Sequence, residues 1–208
     1  MRHQYNFNPQ TASKLLELNK LLTQSLKLES VLQNVIAAAS ELIEIADTFI
    51  VYLYDESADK LKLAEGKGIH EESLKKVAFD PGESIAGKVF RDREPKLFTS
   101  EQEIDRYMSN MSKVNYRYYY KGVYKQKIKS AFCVPILNRN RCLGVLVVDN
   151  FKENGIFAEE DMQVIRVVAE QSAIAIENSN VYHNLKEKND LLAQSISIHT
   201  KYYRLMGG

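Results

Sequence analysis

In 208 residues the chain has no tryptophan, two cysteines and four histidines. Two thiols, Cys133 and Cys142, are too few for a disulfide framework or a four-thiolate zinc site. The histidines, His3, His70, His183 and His199, show no pairing at i+3 or i+4, and no cysteine or acidic cluster accompanies them. Haem, iron and zinc are therefore poor fits, and no cofactor is expected. No apolar run approaches the roughly 18–20 residues that span a bilayer. Residues 1–11 form a polar tail without the apolar centre of a secretory signal, so the expected compartment is the cytoplasm and no membrane partner is expected. Charge of one sign is also missing: 28 basic side chains face 27 acidic ones, a formal net charge of +1. That balance gives no broad electrostatic reason for direct nucleic-acid binding.

What is present is a soluble-type core, with 45% hydrophobic and 26% charged residues. Residues 11–26 place leucines at 15, 18, 22 and 26, a narrow stripe at helical spacing. A second helix follows from Leu28 to Ala46, with Val31, Leu32, Val35, Ala39, Leu42 and Ile43 on one face. The period then changes. Thr48 to Tyr54 is continuously apolar or aromatic, as in a strand buried on both faces, and Leu61 to Glu65 alternates as its returning partner. A brief strand at 77–79 leads through Asp80-Pro81-Gly82 into a short helix from Ser84 to about Arg91. Lys96–Thr99 reads as an edge strand. Ser100 with Glu103 fits a capping box, which predicts a polar helix over 101–111. The tyrosine-rich stretch from Tyr116 to Lys129 has no assignable period. Ala131–Leu137 and Leu143–Asp149 are two strands joined by a hairpin turn at 138–141.

From about Ala158 to Ser195 the chain has neither proline nor glycine and reads as one helix, roughly 55 Å long at 1.5 Å per residue. A domain of this size is only about 40 Å across, so the helix must overhang. Ala175, Tyr182, Asn189 and Ile196 share one heptad position, and Leu185 and Leu192 share the other. A core Asn weakens a coiled coil but fixes its register, so the pattern suits a specified helix pair; a solvated tail helix is the plainer alternative. Helices at both ends with antiparallel strands between them imply an α+β sandwich. Its terminal helices cover one face of the central sheet, and a crevice for a small molecule lies under the short middle helices on the other.

Several segments resemble the GAF family. Pro81-Gly82-Glu83-Ser84-Ile85-Ala86-Gly87-Lys88-Val89 is similar to its Gly-x-Gly-Ile-Ala-Gly-x-Val turn and helix. Residues 130–136 and 143–148 resemble its paired central strands, and Phe157 with Asp161 its Phe-x-x-x-Asp helix start. The matches occur in family order and cover residues 12–181, leaving 182–208 as a signalling helix and linker. No single motif is specific. In physical terms Gly82 permits a positive-φ turn, Gly87 a close helix approach, and Glu159, Glu160 and Asp161 complement a helix dipole. These are reasons of fold, silent about ligand.

The resemblance implies a sensory module and not an enzyme. Cyclic-nucleotide-binding relatives carry Asn-Lys…Phe-x-x-x-Asp-Glu. Asn150, Phe157 and Asp161 match here, but Phe151 replaces the Lys and Met162 the Glu, so cyclic nucleotides are not expected to bind. Bilin-binding relatives attach pigment through a cysteine followed by His, which neither Cys133 nor Cys142 is. Some relatives reduce free methionine sulfoxide with a set of cysteines; Cys133 mid-strand reads as a small buried hydrophobe, and no third thiol supports a relay.

The tyrosine segment is the most individual feature. Tyr107, Arg106, Arg117 and the neighbouring tyrosines combine flat apolar surface with guanidinium groups, a set that suits an anionic or aromatic small molecule. Amphipathic cover over the sheet explains the tyrosines equally well. The candidate ligand site has Ile85 and Ala86 as its floor, since matching positions line family pockets, with Tyr107, Arg117 and Tyr119 as its lid. The expected function is ligand-responsive regulation through homodimeric terminal helices of a bacterial-type signalling or transcription-regulatory protein. Residues 195–206 vaguely resemble the linker before the downstream part of purine-catabolism-type regulators. A dimerisation module without a ligand is the rival reading.

Overall fold

The computed structural model describes residues 7–206, with side-chain surroundings to residue 196. Two helices come first, α1 (Pro9–Gln24) and α2 (Leu28–Leu42). Asn8 caps α1 by accepting a hydrogen bond from the Thr11 N–H at 2.8 Å, and Pro9 sits where a missing N–H costs nothing. The first helix ends two residues before Leu26, which is exposed. Strands β1 (Thr48–Asp55) and β2 (Lys60–Lys67) follow, then a single turn α3 (Glu71–Leu74), β3 (Ala78–Phe79), α4 (Ser84–Asp92) and β4 (Lys96–Phe98). The helix expected from the Ser100 cap is α5 (Glu101–Met108), and the stretch without an assignable period begins inside a further helix, α6 (Lys113–Gly122). Strands β5 (Ser130–Asn138) and β6 (Arg141–Asn150) form a hairpin, and α7 runs from Glu159 to Met206, 48 residues and about 72 Å at 1.5 Å per residue.

The strands make one antiparallel six-stranded sheet in the order β3-β2-β1-β6-β5-β4, with the expected edge strand 96–98 at one border. Thr48 pairs with Asp149 across β1 and β6, and Ala131 pairs with Asp149 across β5 and β6. Every second side chain along these strands therefore faces the same layer. Phe49, Val51, Phe132, Val134, Leu146 and Val148 meet α1, α2 and α7 in one hydrophobic cluster. Ile50, Tyr52, Ala131, Cys133, Val145 and Val147 meet α4, α5 and α6 in a second. Helices therefore sandwich the sheet, as the order of elements predicts.

The leucine stripe of α1 has a different duty from the one expected. Leu15, Leu18 and Leu22 are buried within the protomer, and Leu16 and Leu21 are left exposed. Ala175 likewise packs into the protomer's own core, so it is not free for a helix pair. Both corrections share one cause: α1, α2 and α7 pack on each other and on the sheet within the protomer. The outward apolar surface of α7 begins with Ile174 and continues through Val181, Tyr182, Leu185, Leu191, Leu192 and Ile196.

Candidate functional site

The turn before α4 sets the geometry of the pocket face. Gly82 has φ +95 and Ser84 has φ +61, a tight double reversal. The Gly82 N–H donates to the Gly87 carbonyl at 2.8 Å, and a Cβ on Gly87 would stand 2.3 Å from the Asp80 oxygen. Only glycine lets the helix fold back so closely. Glu83 is buried beside this turn and receives hydrogen bonds from Asn115 Nδ2, the Ser112 N–H and the Asp80 N–H. Asn115 also bridges both backbone groups of Ala78. The start of α6 is thereby bolted to α4 and β3.

A cavity of about 390 Å³ opens between α5, α6 and the loop that follows. Ile104, Met108, Met111, Val123 and Ile128 supply its apolar wall, Tyr116, Tyr119 and Tyr120 its aromatic side, and Asp105 and Lys127 its rim. Tyr116 and Tyr120 stack in parallel with ring centres 5.9 Å apart. Lys127 and Lys129 both pair with Glu101 at the start of α5, which draws the Glu101 carboxyl down to about 2.

The residues expected from sequence divide. Tyr119 is buried and lines the cavity. Ile85 and Ala86 do not line the cavity, because their side chains are buried in the core between α4 and the sheet. Tyr107 packs edge-on against Phe98, 4.9 Å between centres, and the Lys88 ammonium stands 4.4 Å over its ring, so it fastens α5 to its neighbours. Arg117 is exposed on the outer side of α6. Ile104 and Met108, at i and i+4 on α5, line the wall; their spacing on a polar helix is the sequence signal that marks them.

Beneath Tyr119 lies a second, fully buried set of polar groups. Asp149 on β6 has no exposed surface; its Oδ2 accepts from Thr48 Oγ1 at 3.0 Å. Burial pushes its carboxyl up to about 7, with Asp47 adding to the rise, while Thr48 and Tyr119 favour the charged form. No hydrogen bond of sound geometry reaches its Oδ1, nor the Tyr52 hydroxyl, among the described residues. Tyr52 is raised well above its ordinary pKa, first by burial and then by the nearby Asp149 and Cys133. A third unpaired atom, Oε1 of Gln171, belongs to α7 on the opposite side of the sheet.

Both thiols are buried. Burial raises Cys133 strongly, and Cys142 to about 11. A reactive cysteine needs the opposite shift. Phe151 packs in the pocket-side core and Met162 in the helix-side core, so the two departures from the cyclic-nucleotide signature are apolar packing positions. Asp161 accepts from the Ala158 N–H at 2.8 Å and caps the start of α7. His70 holds Ser73 at 3.0 Å beside Tyr124, and His183 pairs with Glu187. No group of three His, Cys, Asp or Glu among the described residues could hold a metal ion, and no described helix is long and apolar enough to cross a membrane.

An antiparallel sheet flanked by helices, with a pocket on one face and long helices on the other, defines an α+β sandwich. The family model described as GAF domain matches residues 25–177, and the chain belongs to that family. It is 24% identical over 190 residues to the nitrogen fixation protein AnfA of Azotobacter vinelandii, covering 84% of this chain but 34% of that protein, so it spans about a third of its relative's length. The fold is similar to the GAF domain of an Acinetobacter phosphoenolpyruvate-protein phosphotransferase, with TM-score 0.70 and 19% identity over 84% of this chain and 97% of that one. It is also similar to the free methionine-R-sulfoxide reductase of Neisseria meningitidis in complex with its substrate. There the TM-score is 0.63 and the identity 18%, over 85% and 96% of the chains.

Proposed function

We propose that this GAF domain is a small-molecule sensor that passes occupancy of the pocket face to an output domain through a dimer of its C-terminal helices. One observation carries the reading. A single uninterrupted helix, α7, begins against the sheet that floors the pocket and continues beyond residue 181 with Tyr182, Leu185, Leu192 and Ile196 exposed at heptad spacing. Val181 and Leu191 widen the apolar strip. Covering such a strip with a second copy removes it from water and places Asn189 in the seam, where it sets the register. The output is signal transduction or transcription regulation in a bacterial cytoplasm, in keeping with the similarity to a nitrogen fixation protein.

The burial of Tyr119 favours the second reading, a ligandless dimerisation module, because its ring already fills part of the crevice. The likeness to a sulfoxide reductase supports fold alone; the raised pKa of both thiols speaks against a redox relay here.

Sedimentation and hydrogen exchange test the proposal together. At micromolar concentration the chain sediments as a dimer, and Leu185→Asp with Leu192→Asp yields a folded monomer. A metabolite that binds protects 101–124 and also changes exchange at 182–192, which touches no ligand. A coupling of about 100-fold, near 2.7 kcal/mol, suffices for such a relay. A wild-type monomer rejects the dimer; protection confined to the pocket rejects the signalling role.

A further inference from the structure

The cavity wall and the buried polar set beneath it touch at one side chain. Tyr119 lines the cavity, and its phenol is turned toward Asp149. Its ring lies 6.2 Å from Phe79, and Phe79 in turn lies edge-on to Tyr52 at 5.4 Å. Below this layer are two polar atoms that no hydrogen bond of sound geometry reaches among the described residues, Asp149 Oδ1 and the Tyr52 hydroxyl; the Tyr119 phenol acts on Asp149 without meeting that geometry. An unpaired polar atom at such depth costs on the order of 1–3 kcal/mol, more for a charged group, and a bound polar group is one way to recover that cost. Both stand on the sheet face that the cavity overlies, and both carry side chains with at most 1% of their surface exposed.

We propose that the cavity and the Asp149–Tyr52 cluster are one ligand site divided by the Tyr119 side chain, and that its ligand is a small amine on an apolar or aromatic body. The proposal rests on the sensory reading and names the chemistry that reading leaves open. Charge decides the class. The groups acting on Asp149 are Thr48, Tyr119 and Asp47, and none is a cation. A hydroxyl would satisfy Oδ1 but leave the buried charge unbalanced, whereas an ammonium does both and can also donate to the Tyr52 oxygen. An anionic head, the chemistry Arg117 suggests from sequence, would meet a carboxylate, while Arg117 itself lies exposed on the far side of α6. The apolar wall at Ile104, Met108, Val123 and Ile128 takes the body, and about 390 Å³ falls within the roughly 300–1,000 Å³ of small-molecule sites.

Tyr119 is the plug. In its present rotamer it satisfies part of what the ligand would satisfy, so a ligand must displace it, and displacement moves α6 where Asn115 fastens it to Glu83 and Ala78. Occupancy is thus converted into movement of an element that is otherwise bolted down.

The experiment uses benzylamine, benzyl alcohol and benzoate as probes of equal body and different head. Each is titrated into the full chain, Asp149→Asn and Tyr119→Ala at pH 8, with amide chemical shifts as the readout. Benzylamine should bind at least tenfold tighter than benzoate and perturb 104–128. Asp149→Asn should weaken benzylamine at least tenfold while changing benzyl alcohol less than threefold. Tyr119→Ala should tighten both neutral and cationic probes; Tyr119→Phe, which keeps the ring, serves if the alanine variant does not fold. Benzoate binding as well as benzylamine, or a benzylamine affinity indifferent to Asp149→Asn, overturns the amine class and leaves a sensory cavity standing. Failure of every probe to perturb 104–128 in wild type and in the Tyr119 variants overturns the amine site, while the sensory reading stands or falls on the exchange change at 182–192.

Discussion

The two faces of the central sheet are built from the same strands and differ by a shift of one residue. Toward α1, α2 and α7 the strands present Phe49, Val51, Phe132, Val134, Leu146 and Val148. Toward α4, α5 and α6 they present Thr48, Tyr52, Cys133 and Asp149 among smaller aliphatics. The first face is large side chains interlocked with long helices, and it holds the fold. The second carries buried hydroxyl, thiol and carboxyl groups under short helices, with two of their polar atoms unpaired among the described residues. A strand alternates strictly, so neighbouring positions of one strand can serve stability on one face and chemistry on the other.

Adjacent residues on β5 give the sharpest way to break that comparison. Phe132 is fully buried on the helix side, edge-on to Phe157 at 4.9 Å; Cys133 is fully buried on the pocket side. Phe132→Ala should destabilise by about 3–5 kcal/mol, since it removes a ring and leaves a cavity in the face that holds the fold. Cys133→Ala should cost about 1 kcal/mol. Urea unfolding of both variants measures the difference. Equal losses would mean that the two faces share the burden of stability.

The second test is the pH dependence set by Asp149. Its folded pKa, about 7, is raised from the ordinary 3.8. The folded state therefore binds the proton more tightly than the unfolded one, so stability is greatest below the unfolded value and falls as pH rises through about 7. The groups facing the carboxyl are Asp47 just ahead of β1 and Thr48 at its start, Tyr119 on α6, and Tyr52 and Cys133 from the sheet. Asp149→Asn keeps the shape and removes the titration. The variant's stability relative to wild type should therefore rise by about 2.5 kcal/mol between pH 5 and pH 8, an order-of-magnitude figure from the same linkage. A difference that stays flat over that range would show that Asp149 is not held neutral by burial.

Much of this was legible in the chain itself, and what was not has physical causes. The period of apolar residues marks both terminal helices, the β5–β6 hairpin and the overhang of α7. The Gly82 and Gly87 turn is readable because only glycine fits there. Residues 113–122 resisted assignment because α6 is defined by what it is bolted to: Ser112 caps it, and Asn115 ties it to Glu83 and Ala78, contacts more than 30 residues distant in sequence for Asn115. The site was half readable for the same reason. Tyr119 shares its residue type with Tyr118 and Tyr120, and only the phase of α6 turns it inward. Asp149 reads as a strand-end acid, and its burial depends on the layer of helices above it. Arg117 drew attention as a cation among aromatics, yet the same helical phase that buries Tyr119 exposes it.

The smallest expected effect sharpens the comparison on the pocket side. Ser100 caps α5, its hydroxyl accepting from the Glu103 N–H at 3.3 Å. The return arm of a capping box is absent: the Glu103 carboxylate lies nearer the Thr99 N–H, at 3.4 Å, so the cap rests on one good bond. Ser100→Ala should then cost about 1 kcal/mol. Where that cost falls is the informative part. The helix is eight residues long and buries only Ile104, so it has little else to keep it folded than its cap, its packing on α4 and the Lys127 and Lys129 pairs to Glu101. Hydrogen exchange should quicken across 101–108 and leave β5, β6 and the first turns of α7 unchanged. If the loss instead spreads through the sheet, α5 is a cooperative part of the core and the pocket side is no looser than the helix side. If it stays local, the roof of the cavity opens independently of the fold, as a roof that admits a ligand must.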